Sequence, residues 1–383
     1  MAGPLAGLRV LELPAIGPVP FAGMLLADLG AEVIRIDRLA GADQPFADLP
    51  TGAGGPLGRG RRSIEVDLRQ PDGAAVALDL VAGCAVLIEG FRPGVAERLG
   101  LGPEAAMARN PALVYGRMTG WGQHGPLADR AGHDITYLAV SGLLHGIGPA
   151  DGPPVPPANY VGDFGGGAMS LVVGVLAALF SARTTGRGQV VDAAMVDAAP
   201  YLATMVRAMY AHRMWTDQRA ANLFDGGAPH YRCYRCSDGR FVAVGALEPK
   251  FWAVLLDTLG LDPASTPSPY DQANWPELAE QLGAIFAGRT RDEWAASFEP
   301  LDACVAPVLT LAEAPGHRHN AARGSYLEVA GALVAAPTPR FTGSIGEPAA
   351  PPPTPGADTD ELLAELGYPA EQVAQLRARR VVG

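Results

Sequence analysis

The sequence predicts an α/β protein: a parallel, doubly wound sheet, joined to a smaller α+β domain in the second half of the chain. Three observations carry this. Apolar runs of strand length alternate with helically spaced segments from Leu8 to Met118. A change of character near Asn222–Pro229 introduces a hairpin pattern and then a helix. At 383 residues the chain is also long enough for two domains, or for one large domain with an insertion.

Taken in order, Leu8 to Leu13 reads as a strand, Pro14 to Pro20 as a loop, and Phe21 to Leu29 as a helix that stops at Gly30. Ala31 to Ile36 is a second strand, closed by Asp37 and Arg38. Strand, helix and strand in this order form a βαβ unit, which makes the sheet parallel. The alternation continues with helix 72–81, strand 85–89, helix 105–110 and strand 114–118. Pro149 to Pro157 is a stiff, proline-rich connector. Gly165–Gly167 then open a long helix through Ser181, a strand covers 189–194, and another apolar helix reaches about Tyr210. The smaller domain starts with a hairpin over 230–245 and a helix over 250–259, and extends to about His317. A proline-loaded connection over 337–355 leads to a last helix, 359–366.

Composition narrows the function classes. A hydrophobic fraction of 48% with 18% charged residues suits a globular enzyme and argues against disorder. A formal net charge of −11 disfavours nucleic acid and anionic membranes as partners, since both select basic surfaces. Lys250 is the only lysine, so the positive charge is almost all arginine, whose planar fork suits phosphate. The N-terminus lacks the pattern of a signal peptide, and the C-terminus carries no retention address. The apolar run from Met169 to Phe180 is shorter than the ~20 residues that span a bilayer. A cytoplasmic location is the expectation. Cys233 and Cys236 form a lone CxxC on a predicted strand; with no second pair at zinc spacing, neither a metal nor a redox site is predicted.

A βαβ start invites a dinucleotide reading, which needs glycines in the first strand-to-helix loop. Here that loop reads Pro-Ala-Ile-Gly-Pro-Val-Pro, and the dinucleotide reading fails. Arginines suggest another polyanion. Arg38 ends the second strand, Arg59, Arg61 and Arg62 cluster in a predicted loop, and Arg92 and Arg98 follow the third strand. Each alone reads as a solvated charge. Together, on loops at one end of a parallel sheet, they fit a phosphoadenosine with a pantetheine tail.

Three residues could carry chemistry. His133 precedes a helical stretch for which Asp134 is a natural N-cap, and a histidine beside backbone N–H donors suits abstraction of a carbon-bound proton. Asp163 lies before the glycine-rich helix start, where capping is the blander reading. Three consecutive glycines are a costly way to build a cap, at about 1 kcal/mol each relative to alanine; a close ligand passage would explain them. Glu248 precedes Pro249, the expected first residue of a helix, and by itself reads as a capping carboxylate. Methionines such as Met195, Met205, Met209 and Met214 could line an acyl surface, although packing between helices is the plainer account.

Several ordered motifs carry a resemblance. They are Gly-Leu-Arg-Val-Leu-Glu-Leu at 7–13, the segment 25–38 ending Val-Ile-Arg-Ile-Asp-Arg, Ile-Glu-Gly-Phe-Arg-Pro-Gly-Val at 88–95, and Met-Thr-Gly-Trp-Gly-Gln at 118–123. Ala-Gly-His-Asp-Ile-Thr-Tyr at 131–137, Val-Gly-Asp-Phe-Gly-Gly-Gly at 161–167, Gly-Arg-Gly-Gln-Val-Val-Asp-Ala-Ala-Met-Val-Asp at 186–197 and Val-Gly-Ala-Leu-Glu-Pro at 244–249 complete them. The sequence thus resembles the type III CoA-transferase (CaiB/BaiF) family, in its α-methylacyl-CoA racemase branch. The likeness weakens beyond about Arg318 and leaves 39–57 unmatched.

The resemblance implies an interlocked homodimer with a Rossmann-like large domain and a smaller α+β domain. Residues 1–195 would form the first part of the large domain, 196–225 a linker helix, 226–318 the small domain, and 319–383 the return linker and the rest of the large domain. It places an acyl-CoA thioester against Arg38, Leu68, Arg69, Gly90, Arg92, Arg98, Gly132 and Tyr137. His133 and Asp163 would be the two bases of a racemase, Asp134 N–H a donor to the enolate oxygen, Asn159 a supporting group, and Glu248 the residue that orients the histidine across the subunit interface. CoA is then part of the substrate, and no further cofactor is expected. Two alternatives remain open: a CoA transferase with Asp163 as nucleophile, and a non-catalytic acyl-CoA-binding protein.

Overall fold

The computed structural model describes residues 3–41, 55–329, 331–344 and 350–383. Most of the unmatched stretch 39–57, and residues 345–349 of the predicted connection, lie outside them. The chain divides into two compact units, Met1–Ser141 with Ala158–Leu202 and Ala322–Gly383, and Gly142–Pro157 with Ala203–Ala321.

The first unit follows the predicted alternation. Its elements are β1 (Arg9–Glu12), α1 (Pro18–Asp28), β2 (Glu32–Asp37), β3 (Arg61–Glu65), α2 (Pro71–Ala82), β4 (Val86–Glu89), α3 (Val95–Arg98), α4 (Pro103–Arg109), β5 (Val114–Thr119), α5 (Asp134–Ser141), α6 (Met169–Thr185), β6 (Val190–Ala194) and α7 (Met195–Leu202). Six strands form one sheet in the order β3-β2-β1-β4-β5-β6, all pairs parallel. Because side chains alternate across a strand, neighbouring residues feed opposite cores. Leu11, Ile34, Leu87 and Tyr115 pack with α2, α4 and the C-terminal segment. Val10, Val33, Val86 and Val114 pack with α1 and α6.

Strand β3 was not predicted, and it corrects the arginine reading. Arg61 and Arg62 lie at the start of a strand, paired with Val33 and Ile34 near the amino end of β2. Arg61 is ion-paired with Glu12 and Arg59 with Asp28, both pairs buried, while Arg62 bonds Glu32 and Glu365. These three arginines hold the fold together. Ligands of parallel sheets sit at the carboxyl ends of the strands instead. Asp37 is likewise engaged, by the Arg35 guanidinium and the Ser63 hydroxyl, so it is no free acceptor for a ribose.

The helix that starts before α6 is also longer than predicted. It is π-helical over Tyr160–Ala168 and continues to Thr185, 26 residues in all, so length alone does not rule out a membrane span. Leu171, Val172, Val175 and Ala178 nevertheless pack on the sheet.

In the second unit, α8 (Thr204–Ala211) is followed by β7 (Tyr231–Arg235), β8 (Phe241–Gly245), α9 (Pro249–Leu259), α10 (Trp275–Phe286), α11 (Arg291–Phe298) and β9 (Val305–Pro307). The predicted hairpin β7–β8 gains β9 as a third antiparallel strand. Its core gathers Trp252, Leu255, Leu282, Phe286, Trp294 and Phe298. The chain ends with α12 (Arg318–Arg323), the hairpin β10 (Tyr326–Val329) and β11 (Ala332–Ala335), the predicted α13 (Thr359–Glu365), and a further helix, α14 (Ala370–Ala378). Val382 then pairs with Val66, and the Gly383 N–H donates to the Glu65 carbonyl.

Candidate active site

Loops at the carboxyl ends of β1, β4 and β5 meet where the strand order reverses, between β1 and β4. A Cβ on Gly90 would stand 2.9 Å from Val19 Cγ2 and 3.2 Å from Ala15 Cβ, so the β4 loop lies directly against the β1–α1 turn. Arg92 and Arg98, on this loop and on α3, are exposed and form no ion pair among the described residues. Glu89 anchors the loop: its buried carboxylate accepts from Phe91 N–H at 2.6 Å and from Arg117 at 2.9 Å.

His133 and Asp134 open α5. The His133 carbonyl accepts from the N–H groups of Thr136 and Tyr137, so His133 is the capping residue and Asp134 the first residue of the helix. This shifts the predicted N-cap by one position. The Thr136 hydroxyl accepts from the His133 N–H at 3.0 Å and closes the turn. Among the described residues, the Asp134 and Ile135 N–H groups have no acceptor, as expected for a helix start. The His133 side chain is exposed.

Asp163 belongs to the first π-helical turn rather than to the residues before the helix. Its N–H donates to Asp134 Oδ2 at 2.7 Å, which joins the two segments. On its other side the β1–α1 turn comes close: a Cβ on Gly17 would be 3.4 Å from Asp163 Oδ2. Gly17 has φ +68°, a conformation glycine adopts without strain, and Pro18 follows at the first position of α1. Nothing in the sequence reading flagged Gly17; its Gly-Pro spacing at a helix start was the available signal. Burial, then the neighbouring Asp134 charge, push the Asp163 carboxyl up to about 6, against the opposing effects of the Asn159 side chain hydrogen bond and of His133.

Packing gives the glycine run an explanation that the sequence did not show. A Cβ on Gly165 would press on the Tyr160 carbonyl at 2.8 Å, and one on Gly167 on Met195 of α7 at 2.8 Å. The glycines therefore permit a wide helical turn and close packing on α7. Phe164 stacks on Phe21 of α1, with ring centroids 4.4 Å apart. Tyr137 is buried, meets Trp121 edge-on at 4.8 Å, and fills the space that side chains at Gly120 and Gly132 would need. Burial and the Asp163 charge raise its hydroxyl, and Arg92 opposes this.

The structure thus brings together His133, Asp134, Asn159, Asp163, Gly132 and Tyr137, with Arg92 within electrostatic reach of Tyr137. Arg38 is exposed at the end of β2. Leu68 is buried in the core, so only its backbone could meet a ligand, and the exposed Arg69 pairs with Asp67 at 2.9 Å. In the second unit, Glu248 caps α9 through its backbone alone. Its side chain is exposed and makes no capping bond, which removes the capping reading. Cys233 and Cys236 are free thiols, one exposed and one buried.

A doubly wound α/β unit with an acidic side chain beside the β1–α1 turn and a histidine at the start of α5 is the class of protein that fold and site define. The family model of CoA-transferase family III matches residues 5–359, and the chain belongs to that family. It is 42% identical to a mouse alpha-methylacyl-CoA racemase and 41% identical to the human protein of that name, in each case over 99% of this chain and 97% of the relative. Among solved structures, a CaiB/BaiF family protein from Brucella suis superposes with a TM-score of 0.83 at 26% identity, over 96% of this chain and all of that one.

Proposed function

We propose that the protein is an α-methylacyl-CoA racemase, which interconverts (R)- and (S)-2-methylacyl-CoA thioesters by moving one proton. The observation that carries this is the joining of His133 and Asp163 through the Asp134–Asp163 hydrogen bond, at the carboxyl edge of the sheet. One base removes the α-proton and leaves a planar enolate. The conjugate acid of the other returns a proton to the opposite face, so the configuration inverts and the bases exchange roles. A carboxyl held near 6 serves both as base and as acid around neutrality. The Asp134 N–H, without an acceptor of its own, is aligned by α5 to receive charge that develops on the thioester oxygen. A donor of this kind contributes about 2.7–4 kcal/mol.

CoA enters as part of the substrate, and the proton transfer calls for no further cofactor. Exposed Arg38, Arg92 and Arg98, with the close-packed Gly90, support phosphate and pantetheine binding along the carboxyl edge. The strand order supports a Rossmann-like large domain. The exposed apolar side chains of Val173, Phe180 and Tyr201 support a covering second copy, the interlocked homodimer, with Glu248 of the partner subunit orienting His133. We place the protein in the cytoplasm.

Incubating a single-enantiomer 2-methylacyl-CoA in D₂O tests the reading. Deuterium enters the α-position and optical purity decays if it holds. CoA exchange between two carboxylic acids with no α-deuteration would make the protein a transferase that uses Asp163 as nucleophile.

A further inference from the structure

We propose that the Asp134 carboxylate is a positioning group for Asp163, holding the π-helical turn that carries it beside His133, while the Asp134 N–H remains free for the enolate oxygen. This rests on the racemase reading. A helix leaves its first N–H groups without intrahelical acceptors, and in a π-helix more of them, since each bond reaches five residues back. The first such bond here runs from Phe164 N–H to the Asn159 carbonyl, which leaves the Asp163 N–H to find an acceptor elsewhere. Asp134 Oδ2, projecting from another helix, accepts it at 2.7 Å.

Two further observations give this contact its character. A Cβ on Gly162 would collide with the Asp134 carboxylate, so the approach of the two segments requires glycine there. Asp134 is only 9% exposed, and its second oxygen, Oδ1, is buried without a hydrogen-bond partner. A buried carboxylate held by the protein on one side alone is costly and calls for an explanation. The groups facing Asp163 are Asp134 and Tyr137 from α5, His133 before it and Asn159 from its own segment; the α1 side presents uncharged Gly17 and Phe21. Burial is the larger reason that Asp163 is hard to ionise, and the Asp134 carboxylate, held against it by this contact, adds to that effect, so one side chain bears on both the place and the basicity of the base.

The test uses the full chain and two variants. Asp134→Asn keeps an acceptor for the Asp163 N–H and removes the charge. It should move the acidic limb of the racemisation profile to lower pH and lower kcat severalfold, with KM within about twofold. Gly162→Ala keeps the charge and pushes the carboxylate off its partner; kcat should fall at least about tenfold with KM little changed. An unmoved acidic limb in Asp134→Asn, or wild-type kcat in Gly162→Ala, overturns the proposal; should the first variant not fold, the second decides. If the wild-type protein itself fails to exchange the α-hydrogen, the racemase reading fails, an outcome distinct from either variant result.

Discussion

At the residue scale, Asp163 shows how packing changes an ordinary carboxyl. Its raised folded-state value of about 6, against an unfolded value near 3.9, means that the native state holds a proton more tightly than the unfolded chain. Stability from this group is therefore fully present below about pH 4 and is lost as pH rises to about 6. Asp163→Asn should abolish racemisation yet melt a few degrees above wild type at pH 7.5, with the difference vanishing toward pH 4, as read by thermal denaturation across pH. His133→Ala should abolish racemisation and leave CoA affinity within about threefold, measured by calorimetry. Both candidate bases were legible in the sequence through their local motifs. The bond between Asp134 and Asp163 was not, because it links residues 29 apart through the side chain of a residue read as a cap for its own helix.

At the scale of elements, the strand and helix pattern of the first unit was legible wherever apolar period and turn residues agreed. Strand β3 was hidden because three arginines in four positions read as a charged loop. Their carboxylate partners, Glu12 and Asp28, lie 49 and 31 residues away, and only folding brings them near. Arg61→Ala would leave the Glu12 charge buried and unpaired, and should cost about 3–5 kcal/mol in denaturant unfolding. The π-helix was equally invisible, since its glycines answer to a backbone carbonyl and to α7, neither of which local spacing shows. At the β5–α5 connection, Gly120→Ala should displace the buried Tyr137 ring, destabilising the fold by about 1–3 kcal/mol and raising KM for acyl-CoA.

At the scale of the whole molecule, the first unit leaves large apolar side chains in water, among them Phe180 at 78% and Tyr201 at 81% exposed. Surfaces of this kind are normally covered. Sedimentation at micromolar concentration should therefore show a dimer, and a monomer that is fully active would remove the homodimer from the proposal. Composition, the apolar alternation and the ordered motifs by themselves determined the α/β class, the parallel sheet, the family resemblance and the candidate bases, because each of these is written in local spacing. Only the tertiary structure decided which arginines are exposed and which are buried in ion pairs, how the glycine run packs, and how Asp134 and Gly17 frame Asp163. Those properties depend on partners far away in the chain, and burial beside them governs both the ionisation and the place of the candidate groups.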